Sequence, residues 1–211
     1  MEFHDIEQNS DEWYSMRGGR LTSSNLGKVM ANLGKSFGEP AKKYATQIAI
    51  EQITGKPISS DFSNAHMERG IEQEPIARML YEEETFCDVS NGGFFCSETV
   101  GCSPDGLVSD CGAIEIKSVI ASTHFATVKR QNVDPAYRWQ CIGNLKFTER
   151  DWLDFISYCA DFPQDKQLFI YRIHKEYCRE EFSMIDERVE EFMCLVNRTK
   201  KSILESDYHL N

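Results

Sequence analysis

"GCSPDGLVSDCGAIEIKS", residues 101–118, places three charges where a core strand should form. Asp105 follows a proline, and Glu115 and Lys117 stand two apart inside an apolar run. An isolated buried charge is costly, so these groups need a metal ion, one another, or water. Residues two apart in a strand share a face, which sends Glu115 and Lys117 one way and Ile114 and Ile116 into the opposite layer. If "GLVS" and "AIEIKS" form a hairpin through "DCG", Asp105 comes within reach of Glu115. Neighbouring carboxylates repel unless a cation lies between them, and hard oxygen ligands with room for water suit Mg²⁺ or Mn²⁺. Such an ion polarises a phosphoryl oxygen and acidifies water, while a nearby ammonium orients that water or balances charge. Asp105, Glu115 and Lys117 in this order supply a hydrolytic phosphodiesterase site. Taken singly, each has a plainer reading: "PDG" is a common turn sequence, and Glu115 with Lys117 suits a solvated strand face.

Outward from this hairpin, short apolar or alternating runs at 93–97, 99–102, 106–109 and 113–118 predict a meander of strands. Upstream, 12–32 reads as a loop and then a helix, with Thr22, Ser23 and Ser24 as N-cap oxygens. A second helix is expected over 40–54, from Pro40 to Gly55. In "HMERGIEQEPIARMLYEEET", Ile71, Pro75 or Ile76, Met79 and Leu80 recur at helical spacing, which sets Glu74 near one edge of an apolar face. From there Glu74 adds a further carboxylate to the site through water. Downstream come helices over 121–131 and 136–147, strands over 152–160 and 167–174, and an amphipathic helix over 184–205. The order describes an α/β domain with a mixed central sheet flanked by helices.

The 211 residues, 41% of them hydrophobic, suit one domain over 1–211 around a single core. No apolar run approaches the roughly 18 residues of a membrane span, and the polar, acidic start "MEFHDIEQNSDEWYSMRGG" is unlike a signal or transit peptide. A cytoplasmic protein without a membrane partner is expected, in the host cytoplasm if phage-encoded. The eight cysteines contain no C-x-x-C pair, so free thiols are expected. A net charge of −11 argues against coating nucleic acid through the overall field and leaves room for a local basic groove.

Five segments in order, "EWYSMRGGRLTSS", "RGIEQEPIA", "SPDGL", "EIK" and "YRWQCIGNL", resemble the lambda exonuclease and YqaJ-type viral recombinase family of the PD-(D/E)xK nuclease superfamily. The resemblance implies a restriction-endonuclease-like fold with Asp105 and Glu115 as metal ligands, the Ile116 carbonyl as a backbone ligand, and Lys117 assisting the nucleophilic water. Glu74 and Gln140 match the family's helical glutamate and late-helix glutamine. Arg17 would receive a terminal 5′ phosphate, with Ser24 and Ser103 as phosphate-contacting hydroxyls. The family's usual small residue in "T-A-S" is Ser23 here. Also implied are Mg²⁺, with Mn²⁺ as a substitute and two ions per site; double-stranded DNA ends as substrate, resected 5′ to 3′ to leave 3′ overhangs for recombination; a ring-shaped homotrimer; and a single-strand annealing protein as partner. An endonuclease or 3′-directed nuclease on the same scaffold, or an inert DNA-end-binding protein, are the competing readings.

Arg17 also stands out on its own chemistry, as a rigid donor fork beside a Gly-Gly helix start where backbone N–H groups favour an anion. Arg20, Lys28, Lys129, Arg130, Arg138 and Lys146 are candidates for a DNA groove. Tyr137 and Trp139 suit either base stacking or core packing. His66 and His124 read as structural or surface residues. Cys159, Cys178 and Cys194 are too dispersed for an iron–sulfur cluster.

Overall fold

The structure, a computed structural model, describes residues 1–58 and 65–206, and for 65–67 the backbone alone. From the N-terminus come β1 (Glu2–His4), α1 (Asp11–Arg17), β2 (Leu21–Thr22), a 3₁₀ turn (Ser23–Asn25), α2 (Leu26–Met30), α3 (Glu39–Thr54) and α4 (Ala65–Thr85). There follow β3 (Val89–Ser90), β4 (Phe94–Cys96), β5 (Val100–Cys102), β6 (Gly106–Val108) and β7 (Gly112–Ser118). The chain continues through α5 (Ala121–Arg130), α6 (Arg138–Thr148), β8 (Trp152–Tyr158), β9 (Leu168–His174) and α7 (Arg179–Glu205).

The strands expected as one meander belong to two sheets. β4 and β5 sit in a four-stranded sheet of order β1-β4-β5-β2, while β6 and β7 sit in a five-stranded sheet of order β3-β6-β7-β8-β9. The break falls at Pro104, which has no N–H to carry a ladder onward. Its carbonyl accepts from Gln8 Nε2 at 2.9 Å. The chain also crosses itself there, since a Cβ on Gly92 would stand 1.7 Å from that carbonyl oxygen.

In the larger sheet only β7 and β8 run parallel. A parallel pair needs a crossover connection, and α5 and α6 form it. The sheet is thereby covered on both faces. Ile114, Ile116 and Ile156 pack with Ala77 and Tyr81 of α4. Ala113, Leu153 and Phe155 pack with α6, α2, α3 and α7 in the main core. The closing helix meets that core through Ile185, Arg188, Phe192 and Val196, a stripe at helical spacing.

Two expectations are corrected. The first helix of 12–32 lies earlier, at Asp11–Arg17, capped by Ser10, whose Oγ accepts from the Trp13 N–H at 3.2 Å. Thr22, Ser23 and Ser24 cap nothing, because their hydroxyls are taken by tertiary partners. On α4, most of the stripe read as the apolar face points outward, with Ile71 62% and Met79 50% exposed and Ile76 also exposed, and of the residues named Leu80 packs against the sheet-side core. The face towards the sheet carries Tyr81 and Ala77, and next to them Glu74 and Arg78, so polar residues that interact with Asp105 displace apolar ones from the buried stripe.

Candidate active site

The register Gly106↔Ile114 continues one step beyond β6, where the Asp105 N–H donates to the Ile114 carbonyl at 3.0 Å. Asp105 therefore stands opposite Glu115. Its Oδ2 accepts the Ile116 N–H at 2.6 Å, and Arg78 of α4 donates to its backbone carbonyl. Glu115, 0% exposed, points to the α6 face as strand alternation requires. Three groups converge on its carboxylate. Gln140 Nε2 and Lys117 Nζ reach Oε1 at 2.5 Å each, and Asn144 Nδ2 donates to Oε2 at 2.6 Å. Lys117 Nζ lies 5.4 Å from the centre of the Tyr137 ring.

Burial is the largest influence on every acid here. It pushes Glu115 up to about 8, with Asp105 adding to the rise and Lys117 opposing it. Glu74 is pushed up to about 7 by burial and then by Asp105. Asp105 is raised by burial against the pull of Lys117, the Ile116 N–H and Arg78. Burial also disfavours the Lys117 ammonium, but Glu115 and Asp105 together outweigh it and the pKa is raised. Glu74, Asp105, Ile116, Lys117 and Tyr137 line one side of a cleft of about 530 Å³ whose lip carries Ile71 and Ile120.

Asn9, in the left-handed region at φ 64°, lines both this cleft and a second one of about 800 Å³. Arg17 lines the second. Its guanidinium lies 4.0 Å from the centre of the buried Trp13 ring, and Nη2 donates to the exposed Ser24 Oγ at 3.2 Å. Trp13 Nε1 in turn donates to Ser103 Oγ at 2.8 Å, and Ser103 donates to the Gly93 carbonyl at 2.5 Å. Ser103 is thus buried beneath Trp13, whereas Ser24 is exposed. The Gly18–Gly19 turn is held by Glu51, whose Oε2 accepts the Gly19 N–H at 2.8 Å.

The model of the YqaJ-like viral recombinase domain matches residues 12–151. The chain belongs to this family. Among solved structures, an alkaline exonuclease, LHK-Exo, from Laribacter hongkongensis is 31% identical over 92% of this chain and 96% of its own, with a TM-score of 0.81. Its complex with dAMP matches at a TM-score of 0.78 and 31% identity over 93% of this chain and 99% of its own. A phage related exonuclease from Haemophilus somnus 129PT shares the fold at a TM-score of 0.71, with 15% identity over 90% of this chain and 99% of its own. No curated protein matches. The fold of this YqaJ-family chain is restriction-endonuclease-like, built on mixed sheets flanked by helices.

No group of three or more His, Cys, Asp or Glu side chains among the described residues is arranged to hold a metal. What the hairpin does supply is two opposed, buried carboxylates, Asp105 and Glu115, each held above its usual pKa by burial and, for Glu115, by the other's charge. A cation between them removes that repulsion, so this oxygen pair with the Ile116 carbonyl and water fits a hard divalent ion.

Asn144 was not among the sequence candidates, although Gln140 and Asn144 are four apart on a predicted helix and so share a face. Arg78 stands in the same relation to Glu74. Asn9 carries no signal short of the fold. Of the basic residues, Arg20 is tied to the Ser97 and Met16 carbonyls and Lys28 to Asn25. Arg138 pairs with Glu181 and Lys146 with Asp186, so both link α6 to α7, while Lys129 and Arg130 are exposed at the end of α5. Tyr137 and Trp139 pack against the core. His124 is buried, with Nδ1 2.8 Å from Ser157 Oγ and Nε2 3.0 Å from the Lys166 carbonyl. The His66 side chain lies outside the described residues. All eight cysteines are free thiols. No helix among the described residues is long and apolar enough to cross a membrane.

Proposed function

We propose that this chain is a divalent-metal-dependent exodeoxyribonuclease that removes nucleotides from a 5′-phosphorylated end of duplex DNA. The observation that carries the reading is the joining, at Asn9, of a cleft lined by Glu74, Asp105 and Lys117, the last paired to the buried Glu115, to a cleft lined by Arg17, whose guanidinium is bonded to Ser24. Asp105 and Glu115, with the Ile116 carbonyl, would hold Mg²⁺, or Mn²⁺ in its place, as one or two ions. The ion's contribution is to polarise the scissile phosphate and acidify water.

The chain's own groups do the rest. Lys117 Nζ, kept charged by Glu115 and Asp105, orients the attacking water and offsets charge gathering on the phosphate oxygens. Gln140 and Asn144 hold the Glu115 carboxylate from both sides. Glu74, with its pKa near 7, can take a proton at neutral pH from water entering the cleft. The water oxygen bonds to phosphorus as the bond from phosphorus to the 3′ oxygen breaks. The terminal residue leaves as a mononucleotide whose 3′ oxygen takes up a proton from solvent water to become a hydroxyl, and the new phosphate stays on the shortened strand. Each cut therefore regenerates the group that Arg17 and Ser24 are placed to hold, with Ser103 acting through Trp13.

The bound dAMP of LHK-Exo supports mononucleotide products, and the exonuclease neighbours support end-directed hydrolysis. In this reading the chain forms one nuclease domain over 1–211, works in the cytoplasm, and leaves 3′ overhangs for an annealing partner. A homotrimeric ring reconciles the charge of −11 with DNA binding, because basic residues need only line a channel. The test is digestion of duplexes labelled at either end. Labelled mononucleotide should appear first from the 5′ label, and chelator should stop the reaction reversibly. Early release of the 3′ label would overturn the polarity, and turnover in chelator would overturn the metal.

A further inference from the structure

The Arg17 cleft and the Glu115 carboxylate are joined by protein groups alone. Ser23 and Ser24 are adjacent on one 3₁₀ turn, Ser23–Asn25. Ser24, exposed between the cleft-lining Thr22 and Asn25, accepts at Oγ from Arg17 Nη2 at 3.2 Å. Ser23, facing inward, donates from Oγ to Asn144 Oδ1, and Asn144 Nδ2 donates to Glu115 Oε2 at 2.6 Å. The amide bridges the two: its Nδ2 faces Glu115 Oε2, and its Oδ1 accepts the serine hydroxyl. Ser23, Asn144 and Glu115 are all buried.

The turn can come this close because α6 has a glycine at the contact. A Cβ on Gly143 would stand 2.3 Å from Leu26 Cδ1 and 3.1 Å from Ser23 Cβ. Ser23 lies directly at this contact. Its hydroxyl has one partner, and that partner has the catalytic carboxylate as its other.

We infer that Ser23 and Asn144 are positioning residues that couple occupancy of the Arg17 cleft to the orientation of Glu115, so that a 5′ phosphate raises kcat as well as affinity. The inference rests on the proposed role of Arg17 as end reader. A phosphate held by Arg17 and Ser24 fixes the turn on its outer side. The same turn then fixes Asn144 on its inner side, and Asn144 with Gln140 holds the two oxygens of Glu115 apart. Buried amide networks of this kind transmit small displacements because a lost bond has no water to replace it. A chain of contacts alone does not establish coupling, so the test is a double-mutant cycle.

Steady-state rates would be measured on 5′-phosphorylated and 5′-hydroxyl duplexes at one salt concentration for wild type, Ser23→Ala, Arg17→Ala and the double variant. In Ser23→Ala the kcat ratio between the two duplexes should fall about tenfold, within the usual range of coupling between sites, while the KM ratio stays at its wild-type value. In the Arg17→Ala background Ser23→Ala should leave the ratio where it is. As a readout apart from turnover, Asn144→Ala should weaken Mg²⁺ binding by titration calorimetry about tenfold, the scale for losing a partner that orients a ligand. An unchanged kcat ratio in Ser23→Ala, an equal loss on both duplexes, or unaltered Mg²⁺ affinity in Asn144→Ala would each overturn the coupling. If wild type itself ignores the 5′ phosphate, the end-reading role of Arg17 falls and the coupling with it. A wild-type preference that survives Ser23→Ala overturns the coupling alone.

Discussion

The proposed catalytic cleft and the Arg17 cleft meet at Asn9 and are built by different means. Asp105, Glu115 and Lys117 hang from a hairpin whose register is set by backbone ladders, so their relative positions follow from strand geometry. Arg17 ends a seven-residue helix, and its position depends on a stack of side chains: the guanidinium over Trp13, the indole N–H on Ser103, and the next turn on Glu51. The proposed catalytic groups are placed mainly by backbone, with Gln140 and Asn144 fixing the Glu115 carboxyl, and the proposed end-reading group by side chains. Changes at the first region should therefore act mainly through the group removed, while the second should fail to a greater extent through its supports.

The largest effects are expected on the hairpin. Asp105→Ala or Glu115→Ala should abolish hydrolysis and leave the metal-free protein folded, because removing one of two opposed buried carboxylates relieves repulsion. Activity measurements beside thermal unfolding check this, and a variant that loses activity only by unfolding would break the contrast. Lys117→Ala should lower kcat by roughly two orders of magnitude with Mg²⁺ affinity kept, as for loss of one positioned electrostatic group. Weakened Mg²⁺ binding with normal kcat would recast Lys117 as a structural charge.

On the other side, Arg17→Ala should bring the rate on 5′-phosphorylated duplex down to that on 5′-hydroxyl duplex, with the latter much less affected. Ser103→Ala should lower the same preference more weakly and cost about 1–3 kcal/mol of stability, since it strands the buried Trp13 N–H. Denaturant unfolding and the two-duplex comparison separate the parts. A stable Ser103→Ala protein with full preference would mean that Trp13 does not need its support.

A smaller effect concerns pH. Glu115 near 8 and Glu74 near 7 are raised above their unfolded values, so the metal-free fold binds protons more tightly than the unfolded chain. Their contribution to stability is full below about pH 4.5 and is lost as pH rises to about 8. Mg²⁺ competes with those protons, so its affinity should rise over roughly pH 6–8. Unfolding and calorimetric titrations across this range test both statements, and an affinity independent of pH would contradict the buried-acid account. The smallest effect is expected at Lys146 and Arg138, whose ion pairs to α7 are partly exposed; alanine there should cost less than about 1 kcal/mol.

The sequence was most informative where structure is local. Strand alternation placed Glu115 and Lys117 on one face and Ile114 and Ile116 on the other, and the pairing of Asp105 with Glu115 follows from one hairpin. It misled on α4, because apolar periodicity assumes that the buried stripe is the greasy one, and Glu74 and Arg78 occupy part of that stripe. It placed a cap at Thr22 to Ser24 because hydroxyls before a periodic run fit caps; partners distant in the chain, Tyr44 and Asn144, claim them instead. The supports under Arg17 were legible only as separate residues, since Trp13 meets Ser103, and Gly19 meets Glu51, through tertiary folding alone.

The most direct test is the initial rate of nucleotide release, with Mg²⁺, from a 5′-phosphorylated linear duplex, its 5′-hydroxyl counterpart and a closed circle. The account predicts fastest release from the phosphorylated duplex, slower release from the hydroxyl duplex and none from the circle. Cutting of the circle, or equal rates on the two linear duplexes, would contradict it.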